Sequence, residues 1–188
     1  MSALYPPLNR IVAAFAVVVM FSLPAAGQDT GRLDTLFDAL SDADAPVDAR
    51  RIARDIEHEF AQSGSAAMDM LLKRGRDALE AGDSVAAIEH FTALTDHAPD
   101  FAEGWHMRSV AYSRVGLYGP ALSDIERALA LSPRHFNAIY GLGVILEEVN
   151  KPELAHEAFS RVLAIHPHHE AVTRALERLD PEIGGSSL

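Results

Sequence analysis

Three prolines set 34 residues apart, Pro99, Pro133 and Pro167, give a frame to everything between Met68 and His169. Laid on that period, Trp105 falls opposite Leu71 and Ile139, and Tyr112 opposite Ala78 and Leu146. Ala87, Ala121 and Ala155 coincide; Phe91, Ile125 and Phe159 follow four residues later, then Leu94, Ala128 and Val162. Gly75, Ser109 and Gly143 share a small-residue position, and Gly82, Gly116 and Asn150 share another. A tandem unit of this length cannot bury its apolar face alone. It must stack on its neighbours, which restricts the chain to a repeat architecture.

Each recurrence has a physical reason. Apolar residues at helical spacing up to the Tyr112 position describe a first helix with one buried stripe. Gly or Asn at the next marked position predicts a left-handed residue that ends this helix. A second helix follows, with alanine and then a bulky residue one turn on. The small positions let the two helices approach closely, and the bulky ones fill the remaining space. Proline then stops the second helix, since its ring blocks continuation and disfavours αR in the residue before it.

This pattern resembles the tetratricopeptide repeat family. The central copy reads Trp105, Arg108, Ser109, Tyr112, Ala121, Ile125, Pro133. The first reads Leu71, Arg74, Gly75, Ala78, Ala87, Phe91, Pro99, and the third Ile139, Leu142, Gly143, Leu146, Ala155, Phe159, Pro167. The leucine slot holds arginine in two copies, a departure from the family pattern. The resemblance implies an all-α, right-handed solenoid of helix hairpins with three units, 68–101, 102–135 and 136–169. A C-terminal capping helix over 170–180 completes a repeat domain of 66–180.

The flanks are read from their own patterns. Residues 1–27 carry Arg10, an apolar run from Ile11 to Leu23 and small residues at Ala25 and Gly27, the layout of a secretory signal peptide. The run is short for a membrane span. The expected location is the periplasm, with an uncleaved inner-membrane anchor as the alternative; in a cleaved chain no span remains. Residues 28–65 are expected to form a helical hairpin capping the first repeat. Its first helix is marked by Leu33, Leu36, Phe37 and Leu40, its second by Ile52, Ile56 and Phe60. A divergent repeat is the alternative there. Residues 181–188 are expected to be a disordered tail.

Composition narrows the function. The 188-residue chain, of one-domain length, has no cysteine, so disulfides, thiol catalysis and cysteine-based zinc sites are excluded. A net charge of −11 argues against nucleic-acid binding. No GxSxG, P-loop or glycine-rich dinucleotide turn is present, and no catalytic residue, cofactor or metal ligand is assigned. His166, His168 and His169 are expected in a solvated turn, and His90, His97, His135 and His156 on the surface.

The family resemblance also implies a concave, partner-binding face. Its inner positions fall on Asp69, Leu72, Arg76, Leu79 and Glu80, then Glu103, His106, Val110, Ser113 and Arg114, then Asn137, Tyr140, Val144, Glu147 and Glu148. The expected ligand is a protein or peptide segment held around Arg76, His106, Val110, Arg114, Asn137, Tyr140 and Val144. Positions matching the family's chaperone-tail clamp hold Leu72, Arg76, Met107, Asn137 and Gly141, so that subtype is not expected. The sugar-transferase asparagine ladder is absent too, its places holding Lys73, Met107 and Gly141. The expected role is a non-catalytic adaptor, scaffold or assembly factor of the bacterial envelope. The alternatives are a self-associating structural protein and an envelope metal protein or enzyme. The sequence leaves oligomeric state open.

Overall fold

A computed structural model describes residues 29–185, which form helices joined by short turns and contain no strand. The expected signal segment falls outside the described residues, apart from them at the N-terminus. Two helices come first, α1 (Asp29–Ser41) and α2 (Pro46–Phe60). Three hairpins follow: α3 (Ala66–Glu80) with α4 (Ser84–His97), α5 (Ala102–Arg114) with α6 (Tyr118–Leu131), and α7 (Phe136–Glu148) with α8 (Pro152–Ile165). The last helix is α9 (Glu170–Gly185).

The repeat chemistry is realised in each unit. Gly82, Gly116 and Asn150 take φ of 79°, 74° and 58°, so all three helix stops are left-handed as expected. Ala87, Ala121 and Ala155 are fully buried between paired helices, with Phe91, Ile125 and Phe159 packed below them. The small-residue position is matched to its partner's size. Gly75 and Gly143 lie directly against the Phe91 and Phe159 rings. In the central unit Ser109 stands where the facing residue is the slimmer Ile125, and its hydroxyl donates to the His106 carbonyl at 2.6 Å. The unexpected arginine in the leucine slot is also explained. Arg108 grips buried Asp124 with Nε and Nη2 at 2.7 and 2.8 Å, and its Nη1 donates to Thr95 at 2.9 Å. It thereby stitches α4, α5 and α6, at a place where an apolar side chain would only pack.

The N-terminal hairpin departs from expectation. It does not cap the first repeat. Phe37, Leu40, Ala49, Ile52, Ala53, Ile56 and Phe60 instead join one core with Phe136, Ile139 and Phe159 of the third repeat and Val172, Ala175 and Leu179 of α9. The first repeat has a separate core around Leu72, Leu79, Phe91 and Leu94. The chain turns back at Ser63–Ser65, with Gly64 at φ 76°. Asp69 pins this turn by accepting from the Ser63 amide at 2.9 Å and its hydroxyl at 2.6 Å. The hairpin then runs along the turns that join successive repeats. Arg134 pairs with Asp34, Asn137 donates to Glu57 at 2.9 Å, His168 donates to the Ala43 carbonyl at 2.8 Å, and Arg50 meets Glu170 at 2.6 Å. The divergent-repeat alternative also falls, because Asp48, where a left-handed stop would be needed, lies inside α2.

At the other end α9 continues through Pro181 to Gly185, past the expected stop at 180. Proline removes one backbone donor, and this near the end of the helix, where the freed carbonyl can reach water.

Candidate functional site

The first helix of each repeat, α3, α5 and α7, forms the concave face, and α2 raises a wall at one end of it. Between α5 and α7 lies an apolar groove of about 330 Å³, lined by Val110, Tyr140, Gly141, Val144 and Ile145. His106, Ser109, Ser113, Arg114 and Asn137 supply its polar rim. Toward the wall, His106 and Asn137 are shared with a second, polar niche of about 510 Å³. There Arg54, Glu57 and His58 of α2 face Arg76, Glu103 and Met107.

Six of the seven expected groove residues therefore line one cavity: His106, Val110, Arg114, Asn137, Tyr140 and Val144. Arg76 falls in the neighbouring niche, where its guanidinium is engaged by Glu103. Several inner positions implied by the family have other uses here. Leu72 and Leu79 are core residues, and Asp69 holds the hairpin turn. Arg114 is partly structural as well, since its Nη1 donates to the Leu79 carbonyl at 2.7 Å near the end of α3.

Beneath the polar niche sits a cluster that sequence reasoning missed. Glu103 is 5% exposed, yet it carries three donors. Its Oε1 accepts from Arg76, and its Oε2 lies 3.1 Å from His106 Nδ1 and 2.9 Å from His135 Nε2. His135, expected on the surface, is completely buried, with its ring stacked on Phe60 of α2 at 4.2 Å and 8°. Burial alone would raise the Glu103 carboxyl. The His106 charge and the hydrogen bonds from His106 and His135 outweigh it and hold the group well below the usual carboxylate range. Burial pushes the His135 imidazole below its ordinary value, despite the opposing pull of Glu103. A signal for this cluster was present in the sequence. Glu103 and His106 are one helical turn apart, and His135 directly precedes a helix, at a capping position.

The three donor atoms of Glu103, His106 and His135 lie within 4.8 Å of one another, a spacing a metal ion could span. Their hydrogen bonds argue for another use. His135 Nδ1 accepts the Ala138 amide at 3.3 Å, so Nε2 carries the ring proton and donates it to Glu103. A ligating histidine instead needs that lone pair free and donates its other nitrogen to an acceptor. The cluster is a satisfied polar plug joining α3, α5, the turn before α7 and the hairpin.

The His166–His169 turn is likewise not the solvated loop expected. His166 is buried, and His168 and His169 are half-buried under α2. Burial, with His169 and His168 nearby, pushes His166 down to about 4. Sequence periodicity could not reveal this burial, because the covering hairpin lies outside the repeat. His97 is exposed, while His90 and His156 are partly covered. Among the described residues no helix is long and apolar enough to cross a membrane.

Comparison with known proteins fits this geometry. A family model described as Tetratricopeptide repeat matches residues 106–170. A TPR repeat-containing protein of Rhizobium etli is 31% identical over 174 residues, covering 93% of this chain and 85% of the relative. Small glutamine-rich tetratricopeptide repeat-containing protein 2 of Saccharomyces cerevisiae is 29% identical over 131 residues, 70% of this chain but 37% of its own length. Among solved structures, the first TPR of Spaghetti (RPAP3), bound to an HSP90 peptide, superposes with a TM-score of 0.60 at 25% identity, over 62% of this chain and 93% of that one. The Sgt2 TPR domain from Aspergillus fumigatus gives 0.62 at 24% identity, over 65% and 83%. With a relative 31% identical along nearly its whole length and three helix pairs of matching architecture, the chain belongs to the tetratricopeptide repeat family.

Proposed function

We propose that this protein is a non-catalytic interaction module of the bacterial cell envelope, holding a segment of a partner protein in its concave groove. The observation that carries the reading is the apolar cavity of Val110, Tyr140, Gly141, Val144 and Ile145, rimmed by Asn137, Ser113 and His106. That combination accepts one apolar side chain and offers polar groups to the backbone beside it. The solved relative that carries a peptide supports the same mode. Its ligand is an HSP90 peptide; the ligand here is of another kind. Leu72 is buried and Arg76 is committed to Glu103, so two positions of the carboxylate clamp have no donor to spare. The envelope assignment rests on the signal-like pattern of residues 1–27.

A photo-crosslinking side chain at Val144 tests the reading in cells, with one at exposed Ala130 as control. A partner should be trapped from Val144 and not from Ala130. Val110→Asp, shown to remain folded, should weaken the capture about tenfold or more, because a carboxylate would be buried against an apolar anchor. Equal capture from both sites, or capture indifferent to Val110→Asp, removes the groove from the reading.

A second reading has one observation in its favour. With the hairpin swung away, the outer face of α3 and α4 leaves Met70 51% and Val85 63% exposed, as an end on which another copy could stack. Sedimentation across a concentration series separates the two: a monomer at all concentrations leaves the adaptor reading alone.

A further inference from the structure

The hairpin lies on two histidines that share one position of the repeat. His135 and His169 are 34 residues apart, and each stands immediately before a first helix, α7 and α9. Each ring turns Nδ1 onto its own helix: His135 accepts the Ala138 amide and His169 the Val172 amide, both at 3.3 Å. Both are therefore N-caps, a role that needs an unprotonated Nδ1. A second proton on either ring removes the acceptor. It also sets an N–H against a backbone N–H, and a positive charge at the positive end of a helix.

We propose that the α1–α2 hairpin is an acid-released latch, held shut by the neutral N-cap histidines His135 and His169 and opened when they are protonated. The first cap touches the hairpin directly, and the second lines a niche whose other wall is α2. His135 stacks on Phe60 of α2, and the adjoining Arg134 pairs with Asp34 of α1. His169 stacks on Tyr140 of the groove at 5.4 Å and packs edge-on against His166 at 5.1 Å. His166 in turn meets Phe136 edge-on at 5.7 Å and buries an unpartnered Nδ1. His168 is bonded to the hairpin's own loop at Ala43.

Charged groups face each cap from several elements. His135 faces Glu103 and His106 of α5, with Arg76 of α3 on the same carboxylate. Glu103 favours a charged His135, but it already has the Nε2 proton and offers nothing to Nδ1. His169 lies in a niche with Arg50, Arg54 and Glu57 of α2, and Glu170 and Arg174 of α9. Burial is what opposes a charged His169; Glu57 favours the charge and Arg174 opposes it. Burial holds His135, His166 and His169 all below the ordinary histidine value. An opened hairpin takes up protons first, so closure is complete above about pH 6.5 and weakens as pH falls below it. Glu103 stays outside this window, since its contribution begins to be lost only below the unfolded carboxylate value of about 4.5.

Amide hydrogen exchange on the full chain at pH 7.5 and 5.0, expressed as protection factors to remove the intrinsic pH dependence, tests the latch. Peptides from 29–60 should lose protection about tenfold or more at pH 5.0, within the limit of about 30-fold per released histidine. Peptides from α4 and α6 should not change. A His135→Asn/His169→Asn variant keeps capping side chains that do not titrate, so its loss of hairpin protection between pH 7.5 and 5.0 should be at least threefold smaller than in the native chain. If the double variant does not fold, His169→Asn alone should reduce the acid effect at least threefold. Equal protection of 29–60 at both pH values overturns the latch. So does loss spread evenly over α4 and α6, or an asparagine variant that opens as the native chain does.

Discussion

Glu103→Leu should cost the fold about 3–5 kcal/mol in urea unfolding at pH 7, the usual range when one partner of a buried ion pair is removed. Leucine fills a similar volume, so little of the loss comes from packing. The loss comes chiefly from His106 and His135, two buried donors that would be left without an acceptor, while partly exposed Arg76 can turn to water. Glu103→Gln should fall between the two, because its one acceptor oxygen satisfies some donors while its amide hydrogens oppose the rest. The carboxyl is held below its usual range, so its stabilisation is fully present above the unfolded value of about 4.5 and is lost as pH falls from there toward its folded value. The gap between native and Gln variant should then narrow progressively as pH falls below about 4.5. A Leu variant within 1 kcal/mol of native stability, on the scale of a surface ion pair, would mean that the cluster does not hold α3, α5 and the α7 turn together.

The second large effect separates two glycines of one helix. Gly143→Leu should destabilise by about 3 kcal/mol or more, at the upper end of core overpacking. A Cβ there would stand 2.4–2.8 Å from three atoms of the Phe159 ring, which is itself fully buried and cannot retreat. Two residues earlier the outcome reverses. A Cβ at Gly141 meets only Ile125 Cδ1 at an ordinary 3.7 Å, so Gly141→Ala should gain up to about 1 kcal/mol from helix propensity. Thermal melts of both variants check the pair. If Gly143→Leu melts with the native protein, α7 and α8 are not packed this closely.

Both glycines could be found in the sequence, yet only one was understood there. The recurrence of Gly75, Ser109 and Gly143 marked a close approach of paired helices, and the Phe91, Ile125 and Phe159 partners were four residues past the marked alanine. Their reciprocal sizes became meaningful only once the rings were seen against the glycines. The groove followed the same course. Val110, Tyr140 and Val144 were placed by repeat position and do line one cavity, while Arg76 was placed correctly on its helix and then taken up by Glu103. A repeat position specifies a direction from the helix axis; it does not specify what another element brings to that side chain.

The sequence by itself determined the period, the three left-handed helix stops, the tight alanine contacts and the apolar stripe of each helix. These depend on local backbone preference and on packing between nearest neighbours, and the 34-residue period repeats both. Only the tertiary structure decided where the first hairpin lies, and with it the burial of His135 and His166 and the wall of the groove. That placement depends on pairs such as Asp34 with Arg134 and Arg50 with Glu170, 100 and 120 residues apart and outside the repeat frame. The hairpin's apolar face would suit either end of the solenoid. The chain reversal at Gly64, and the ring stack and ion pairs that meet it along the turns, settle which core it joins.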